Sequence, residues 1–462
     1  MLGTIAYDAI QKARPALDQL SKNIWEHPEG PYREYQASKW TAELLTEAGF
    51  EVELGAYGMP TAIKATWGQG HPIIGLMGEY DALPGLSQEL SPSESPIAGE
   101  TYGHGCGHNL LCAAHVGAVI GMKAEMEQQN LTGTIIFYGC PAEEVLTGKP
   151  FMAKAHAFDC LDLAIAFHPG GVNSVFQGVC AGINSVEFHY KGKSAHAGGA
   201  PHEGRSALDA LELTNIGTQY LREHVTDDVR IHYITKEGGT APNIVPDRAS
   251  SWYMVRAYTR ETVEQVYDRL VRIAHGAAMM TDTEVEVRFL GGCYPTMQNK
   301  MLADVLFDCM HQIPWEHFDE EDRRFAEEMI SADRAPYDRA SKALGLENGN
   351  YLYEGVRPMH ASNSSGSFDM GDVCYIVPTI MFSTACRPVG TPNHNWQTTA
   401  CSGSSIGEKG MINAAKVMAL FGLRVMADPA ICEEAREEFL RSMDGRAYRC
   451  PIPEDLMPPY EG

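Results

Sequence analysis

Three apolar runs without alternation constrain this chain more than any other feature: Ile73 to Met77, Thr134 to Tyr138 and Leu163 to Phe167. A run that is apolar on both faces belongs to a central strand covered from both sides, as in a mainly parallel sheet. Between the runs, apolar residues return at helical spacing, most clearly over His108 to Gln128, so strand and helix alternate along the chain. Each run also leads into ionisable residues. Glu79 and Asp81 follow the first, Glu143 and Glu144 the second, and His168 ends the third. Open α/β sheets place their sites beyond the carboxyl ends of such strands, so these side chains are expected along one edge.

The flanking segments fit that frame. Tyr7 to Glu47 reads as two helices broken at His27 to Pro31, and strand-like runs follow at Phe50 to Leu54 and Thr61 to Trp67. Around Ile183 the texture changes to amphipathic strands at Ser185 to Tyr190, Arg248 to Arg256 and Glu284 to Leu290, with helices near Ser206 to Leu221 and Thr262 to Ala278. The reading is an α/β protein in which a mainly parallel-sheet catalytic domain, residues 1–182 and 294–462, carries an inserted α+β unit, residues 183–293. Beyond Pro295 the buried-strand pattern resumes at Cys374 to Pro378 and Ile380 to Phe382. The acidic stretch Trp315 to Leu346 reads as solvated helix, and the proline-rich end, Pro451 to Gly462, as extended chain on the surface.

Composition excludes some partners. A formal net charge of -24 over 462 residues repels nucleic acid and anionic membrane alike. The first residues lack a basic segment followed by an apolar run, and no apolar stretch is read as approaching the ~20 residues that span a bilayer, which points to a cytoplasmic protein. Twelve cysteines scattered through so long a chain are expected to be reduced.

The chemistry concentrates first in Gly103-His104-Gly105-Cys106-Gly107-His108-Asn109-Leu110. Cys106 and His108 are separated by a residue without a side chain, so thiolate and imidazole can turn to one side of a tight loop, a donor pair suited to zinc and similar ions. A glycine-rich turn holding a buried cysteine fits the same spacing. Glu143-Glu144 can divide its labour, one carboxylate on metal and the other a general base, although adjacent glutamates are commonly solvated. His168 and the loop residue His394, taken alone, read as structural histidines or as ligands, the structural reading being the commoner for a histidine that ends an apolar strand.

Taken in order, Glu79-Tyr80-Asp81-Ala82-Leu83-Pro84-Gly85, Gly105-Cys106-Gly107-His108-Asn109, Pro141-Ala142-Glu143-Glu144, Phe167-His168-Pro169 and His394 resemble the two-metal aminoacylase and carboxypeptidase G-type metallopeptidase family. The spacing is that of its amidohydrolase branch, nearest to its p-aminobenzoyl-glutamate hydrolases and β-alanyl-lysine dipeptidase-like members. This resemblance covers nearly the whole chain. It implies two divalent metal ions per subunit, zinc or manganese, held by Cys106, His108, Glu144, His168 and His394, with Glu143 as general base. Relatives outside the branch carry His-x-Asp where this chain has Glu79-Tyr80-Asp81, so that ligand is absent here and Glu79 or Asp81 orients a ligand instead.

By the same resemblance the inserted unit is a lid that pairs two chains as a homodimer. Its His196, in Gly192 to Pro201, polarises the scissile carbonyl from the partner, while Asn243 and Arg256 hold a small-molecule substrate. Asp372, in Gly366 to Val373, braces a metal-site loop, and His104 is structural. The implied reaction is hydrolysis of an amide bond in an N-acyl amino acid, a p-aminobenzoyl-glutamate-like conjugate or a small dipeptide. Two other readings remain at this stage: a nonenzymatic metal-binding or regulatory protein, and a thiol hydrolase built on Cys106.

Overall fold

The computed structural model describes residues 2–331, 333–346 and 350–460. Of the segments read above, Ala332 and the last two residues of the tail lie outside the described residues.

Thirteen strands are found among the described residues. In chain order they are β1 (Glu51–Leu54), β2 (Ile63–Gln69), β3 (Ile73–Glu79), β4 (Leu83–Pro84), β5 (Tyr102–Gly103), β6 (Gly133–Cys140), β7 (Leu163–Gly170) and β8 (Ser174–Val175), followed by β9 (Gly182–Lys191), β10 (Arg230–Glu237), β11 (Arg248–Ala257), β12 (Glu284–Cys293) and β13 (Thr379–Ala385). Seven form one sheet in the order β1-β2-β6-β3-β7-β13-β8. The neighbours β6, β3, β7 and β13 are mutually parallel, and the outer strands β1, β2 and β8 pair antiparallel. The three non-alternating runs are β3, β6 and β7, at the centre of this sheet, as strands buried on both faces must be.

Helices Thr4–Glu26, His108–Gln129 and Ser405–Ala427 pack over one face. Close approach there is made with glycine: a Cβ at Gly117 would stand 2.8 Å from Leu17 Cδ1 and 3.2 Å from Ala415 Cβ. The helix Ser405–Ala427 corrects the expectation that no apolar run nears a bilayer's thickness. It is 23 residues long with a mean hydropathy of 1.3 in its most apolar part, and 89% of that part is buried. Its apolar surface is spent on neighbouring helices and the sheet. Cys374 to Pro378 is also corrected. Cys374 ends the short helix Met370–Cys374 and a turn follows, so the apolar run there is a buried helix end leading into β13.

The second sheet is antiparallel throughout, in the order β10-β11-β9-β12. Val186, Phe188 and Tyr190 alternate inward along β9 against Tyr253 and Val255 of β11, and helices Ala207–Leu221 and Arg260–Thr281 close that core. The opposite face carries Trp252, Met254 and Arg256, which point towards the carboxyl edge of the large sheet. The protein is thus mixed α/β, with a central mostly parallel sheet and a separate antiparallel unit.

The tail does more than lie on the surface. Ile452 is buried, Lys154 Nζ donates to the carbonyl oxygens of Pro453, Glu454 and Leu456, and the Tyr460 hydroxyl is 2.7 Å from Thr61 Oγ1.

Candidate metal centre

Five chain segments converge beyond the carboxyl ends of β3, β6, β7 and β13: the end of β3, the Cys106 to His108 loop, the Glu143-Glu144 turn, the end of β7 and the His394 loop. Gly107, with φ of 81°, turns the chain into the helix that begins at His108, and a Cβ there would also meet Pro169 Cγ at 3.1 Å. The left-handed conformation is strained for residues other than glycine, costing about 1–3 kcal/mol each. Ala142 adopts it at φ 58°, just ahead of Glu143, and His394 does so at φ 52°. Buried Glu34 holds the first of these turns, accepting from the Ala142 amide at 2.8 Å and from the Tyr32 amide at 2.9 Å. Strain of this kind persists where surrounding structure imposes it, and functional sites are where it gathers.

The side chains so delivered face one another. Cys106 Sγ is 3.2 Å from His168 Nε2. His394 Nε2 is 3.5 Å from Glu144 Oε2. Nε2 of His108 lies 3.5 Å from Glu79 Oε2, 3.7 Å from Glu143 Oε2 and 3.9 Å from Glu144 Oε1. On its other side, His108 Nδ1 meets the Asp81 carbonyl oxygen at 2.9 Å and Asp81 Oδ1 at 3.0 Å. Two oxygen acceptors there put the proton on Nδ1 and aim the Nε2 lone pair at the cluster. Asp81 Oδ2 accepts from the Glu144 amide at 2.9 Å, so one carboxylate orients a histidine and a glutamate together.

Two donor sets emerge, Cys106-His108-His168 and Cys106-Glu144-His394, each with its ligand atoms within 4.8 Å of one another and both using the same sulfur. A third, Glu79-His108-Glu143, adjoins them. Buried polar atoms are rarely left unpaired, yet His108 Nε2, Glu79 Oε2 and Glu144 Oε1 are buried here without a hydrogen-bond partner among the described residues. Burial pushes the Cys106 thiol up to about 12, with the Glu144 charge adding to it, and raises Glu144 to about 7. Glu143 is held well above the usual carboxylate range by burial and by the charges of Glu79 and Asp369. His168 is lowered to about 3, mainly by burial. A crowd of acids pressed towards neutrality around unpaired lone pairs is a fit for cations, which would stabilise thiolate and carboxylates together.

Several of these partners had no signal in the sequence. Lys149 is fully buried, donating to Glu79 Oε1 and, at 2.6 Å, to Asp369 Oδ1, and thus ties the carboxylate beside His108 to the helix Gly148–Lys154. Nothing in a helical stretch marks its one buried lysine. Arg387 was missed as well, although a signal existed: it lies two residues beyond the carboxyl end of β13, and it lines the same cavity. Asp372 holds the segment that carries Gly366 to Phe368 of the cavity wall. Its carboxylate accepts from the Tyr294 amide at 3.0 Å and the Tyr448 hydroxyl at 2.7 Å, so it braces the junction of β12 with the tail, and Asp369 takes the place beside the site. His104 Nε2 lies 3.1 Å from the Ile24 carbonyl oxygen, outside the donor sets.

The cluster opens on a cavity of about 500 Å³ lined by Cys106, Glu143, Glu144, His168, Arg256 and Arg387, among others. Arg256 reaches it from β11 and donates to Ser367 Oγ at 3.0 Å. His196 and Asn243 stand together but apart from this cavity. The Ala197 amide donates to the Asn243 carbonyl oxygen at 3.0 Å, and His196 Nδ1 accepts from Gly199 at 3.0 Å, on an exposed loop.

The chain is similar to known proteins along nearly its whole length. Residues 181–278 match the peptidase dimerisation domain of the M20 family. The chain is 37% identical to one of the subunits of p-aminobenzoyl-glutamate hydrolase from Escherichia coli, over 98% of this chain and 97% of that protein. It is 30% identical to a mouse Xaa-Arg dipeptidase, covering 94% and 91%. Among solved structures, an aminobenzoyl-glutamate utilization protein from Klebsiella pneumoniae superposes with a TM-score of 0.63 at 18% identity, over 90% of this chain and 97% of that one. With whole-length identity of this order to named amide hydrolases, the chain belongs to the M20 peptidase family and is an amide-bond hydrolase.

Proposed function

We propose that this enzyme hydrolyses the amide bond of an N-acyl amino acid, a p-aminobenzoyl-glutamate-like conjugate or a small dipeptide, with two divalent ions held by Cys106, His108, Glu144, His168 and His394. The observation that carries this reading is the pair of donor sets sharing the Cys106 sulfur. Bound there, the ions would polarise the carbonyl and acidify a water. Glu143 is buried beside both sets, outside either of them. Its carboxylate takes the proton of the attacking water and passes it to the leaving nitrogen. Asp81 fixes His108, and Arg256 offers its guanidinium to a substrate carboxylate.

Residues 183–293 act as lid and dimerisation unit, and His196 with Asn243 serves the site of the partner in a homodimer. Their exposure away from their own cavity supports that arrangement. Thiolate favours zinc, and imidazole with carboxylate also holds manganese. The acidic surface supports the reading that the enzyme works on small molecules, apart from nucleic acid and membrane.

The contact between Cys106 and His168 also fits a thiol hydrolase, and one experiment separates the two. Protein reconstituted with zinc or manganese is assayed on a panel of acyl-amino acids and dipeptides. A chelator is expected to abolish turnover, restored by either ion, while a thiol alkylator added at saturating metal leaves it intact. Activity that survives the chelator and dies with the alkylator overturns the metal reading.

A further inference from the structure

Beside the metal-site cavity lies a second one, of about 600 Å³, within the roughly 300–1,000 Å³ range of small-molecule sites. Glu144, Leu146 and Arg256 line both, so the two chambers meet at the metal centre. Its lining is otherwise uncharged and rich in aromatic rings, with Tyr32 and Tyr102 from the large unit and Trp252 and Phe289 from β11 and β12. Buried Arg256 Nε has no hydrogen-bond partner among the described residues at that junction. A chamber of this chemistry takes an apolar, flat group joined to something anionic.

Its remaining wall is the end of the chain: Leu456, Met457 and Pro459. Met457 is 71% exposed while lining the chamber, so this segment forms a mouth and sets its width. The segment is fastened at both ends and in the middle. Tyr448 is tied to Asp372, Lys154 Nζ holds the carbonyl oxygens of Pro453, Glu454 and Leu456 at 2.7, 2.8 and 3.0 Å, and the Tyr460 ring packs edge-on against Tyr32 at 5.1 Å. Lys154 ends the helix that follows the Glu143-Glu144 turn, so the strap is fixed to the element next in the chain after the turn that carries those carboxylates.

We propose that this C-terminal strap determines specificity: pinned by Lys154, it presents Leu456 and Met457 as the wall against which the apolar acyl or aryl half of the substrate packs. The proposal rests on the amide-hydrolysis reading above and names the half of the substrate that the strap selects.

The test compares kcat/KM for N-benzoyl-L-glutamate and N-acetyl-L-glutamate in the metal-loaded full chain, in Lys154→Met, and in the double variant Leu456→Ser with Met457→Ser. The benzoyl-to-acetyl ratio is expected to fall about 10-fold or more in both variants, in the range that apolar complementarity supplies. Lys154→Met is expected to keep its acetyl activity within about 2-fold, with faster amide hydrogen exchange over residues 451–460. A ratio unchanged in both variants overturns the proposal. If the unaltered protein cleaves neither compound, the substrate reading fails instead, and calorimetric binding of N-benzoyl-L-glutamate to the same three proteins decides on the strap. Binding weakened about 10-fold in the variants upholds it, and equal binding overturns it.

Discussion

Glu143→Gln is expected to keep both metal ions and to lose turnover by about 10²-fold or more, the loss that follows removal of a general base. The amide is nearly isosteric with the carboxylate, so the turn held by Glu34 is undisturbed, and what disappears is an atom able to accept the water's proton. The structure makes the comparison sharp because Glu144 is the adjacent residue and faces His394, with its own Oε2 3.5 Å from that ring. Elemental analysis beside steady-state kinetics checks the result. Loss of metal with a mild loss of rate would exchange the roles of Glu143 and Glu144.

His196→Ala is expected to preserve fold and metal content and to lower the rate by about 10²-fold to 10³-fold, the range for one oxyanion donor. His196 lies on an exposed loop of the inserted unit and does not line the metal-site cavity of its own chain. The proposed role in catalysis is therefore one supplied by a second subunit, and that supply can be measured. Mixing His196→Ala with Glu143→Gln is expected to restore activity in part, since the heterodimer contains one site with both groups intact. Subunits that exchange by mass spectrometry yet never regain activity exclude supply in trans. Full activity in His196→Ala alone would leave the carbonyl to the metal centre.

Much of the site was legible because it is delivered by strands. β3, β6 and β7 are apolar on both faces, their carboxyl ends are fixed by the chain, and the ionisable residues that follow must gather on one edge. What the pattern misses is set by packing in three dimensions. The apolar run at Cys374 looks like a strand because a buried helix end and a buried strand are equally apolar over a few residues. Lys149 looks like a surface lysine, and only Glu79 and Asp369, distant in sequence, make its burial tolerable. The tail reads as extended surface chain because proline-rich chain forms no ladder, whereas its hold comes from side chains distant in sequence, above all one lysine binding three carbonyl oxygens. Asp372 and Asp369 lie three residues apart on either side of a helix start, a distinction that spacing alone does not make.

The most direct test of the account is the number of ions bound per chain. Apoprotein dialysed against zinc or manganese is expected to hold two by elemental analysis. His168→Ala and His394→Ala are each expected to hold one, since each loses a ligand from a single donor set. Cys106→Ser, which alters the sulfur common to both, is expected to bind neither ion firmly. Two ions retained in Cys106→Ser, or one ion in the unaltered protein that is indifferent to His168 and His394, would contradict a two-metal centre built on that shared cysteine.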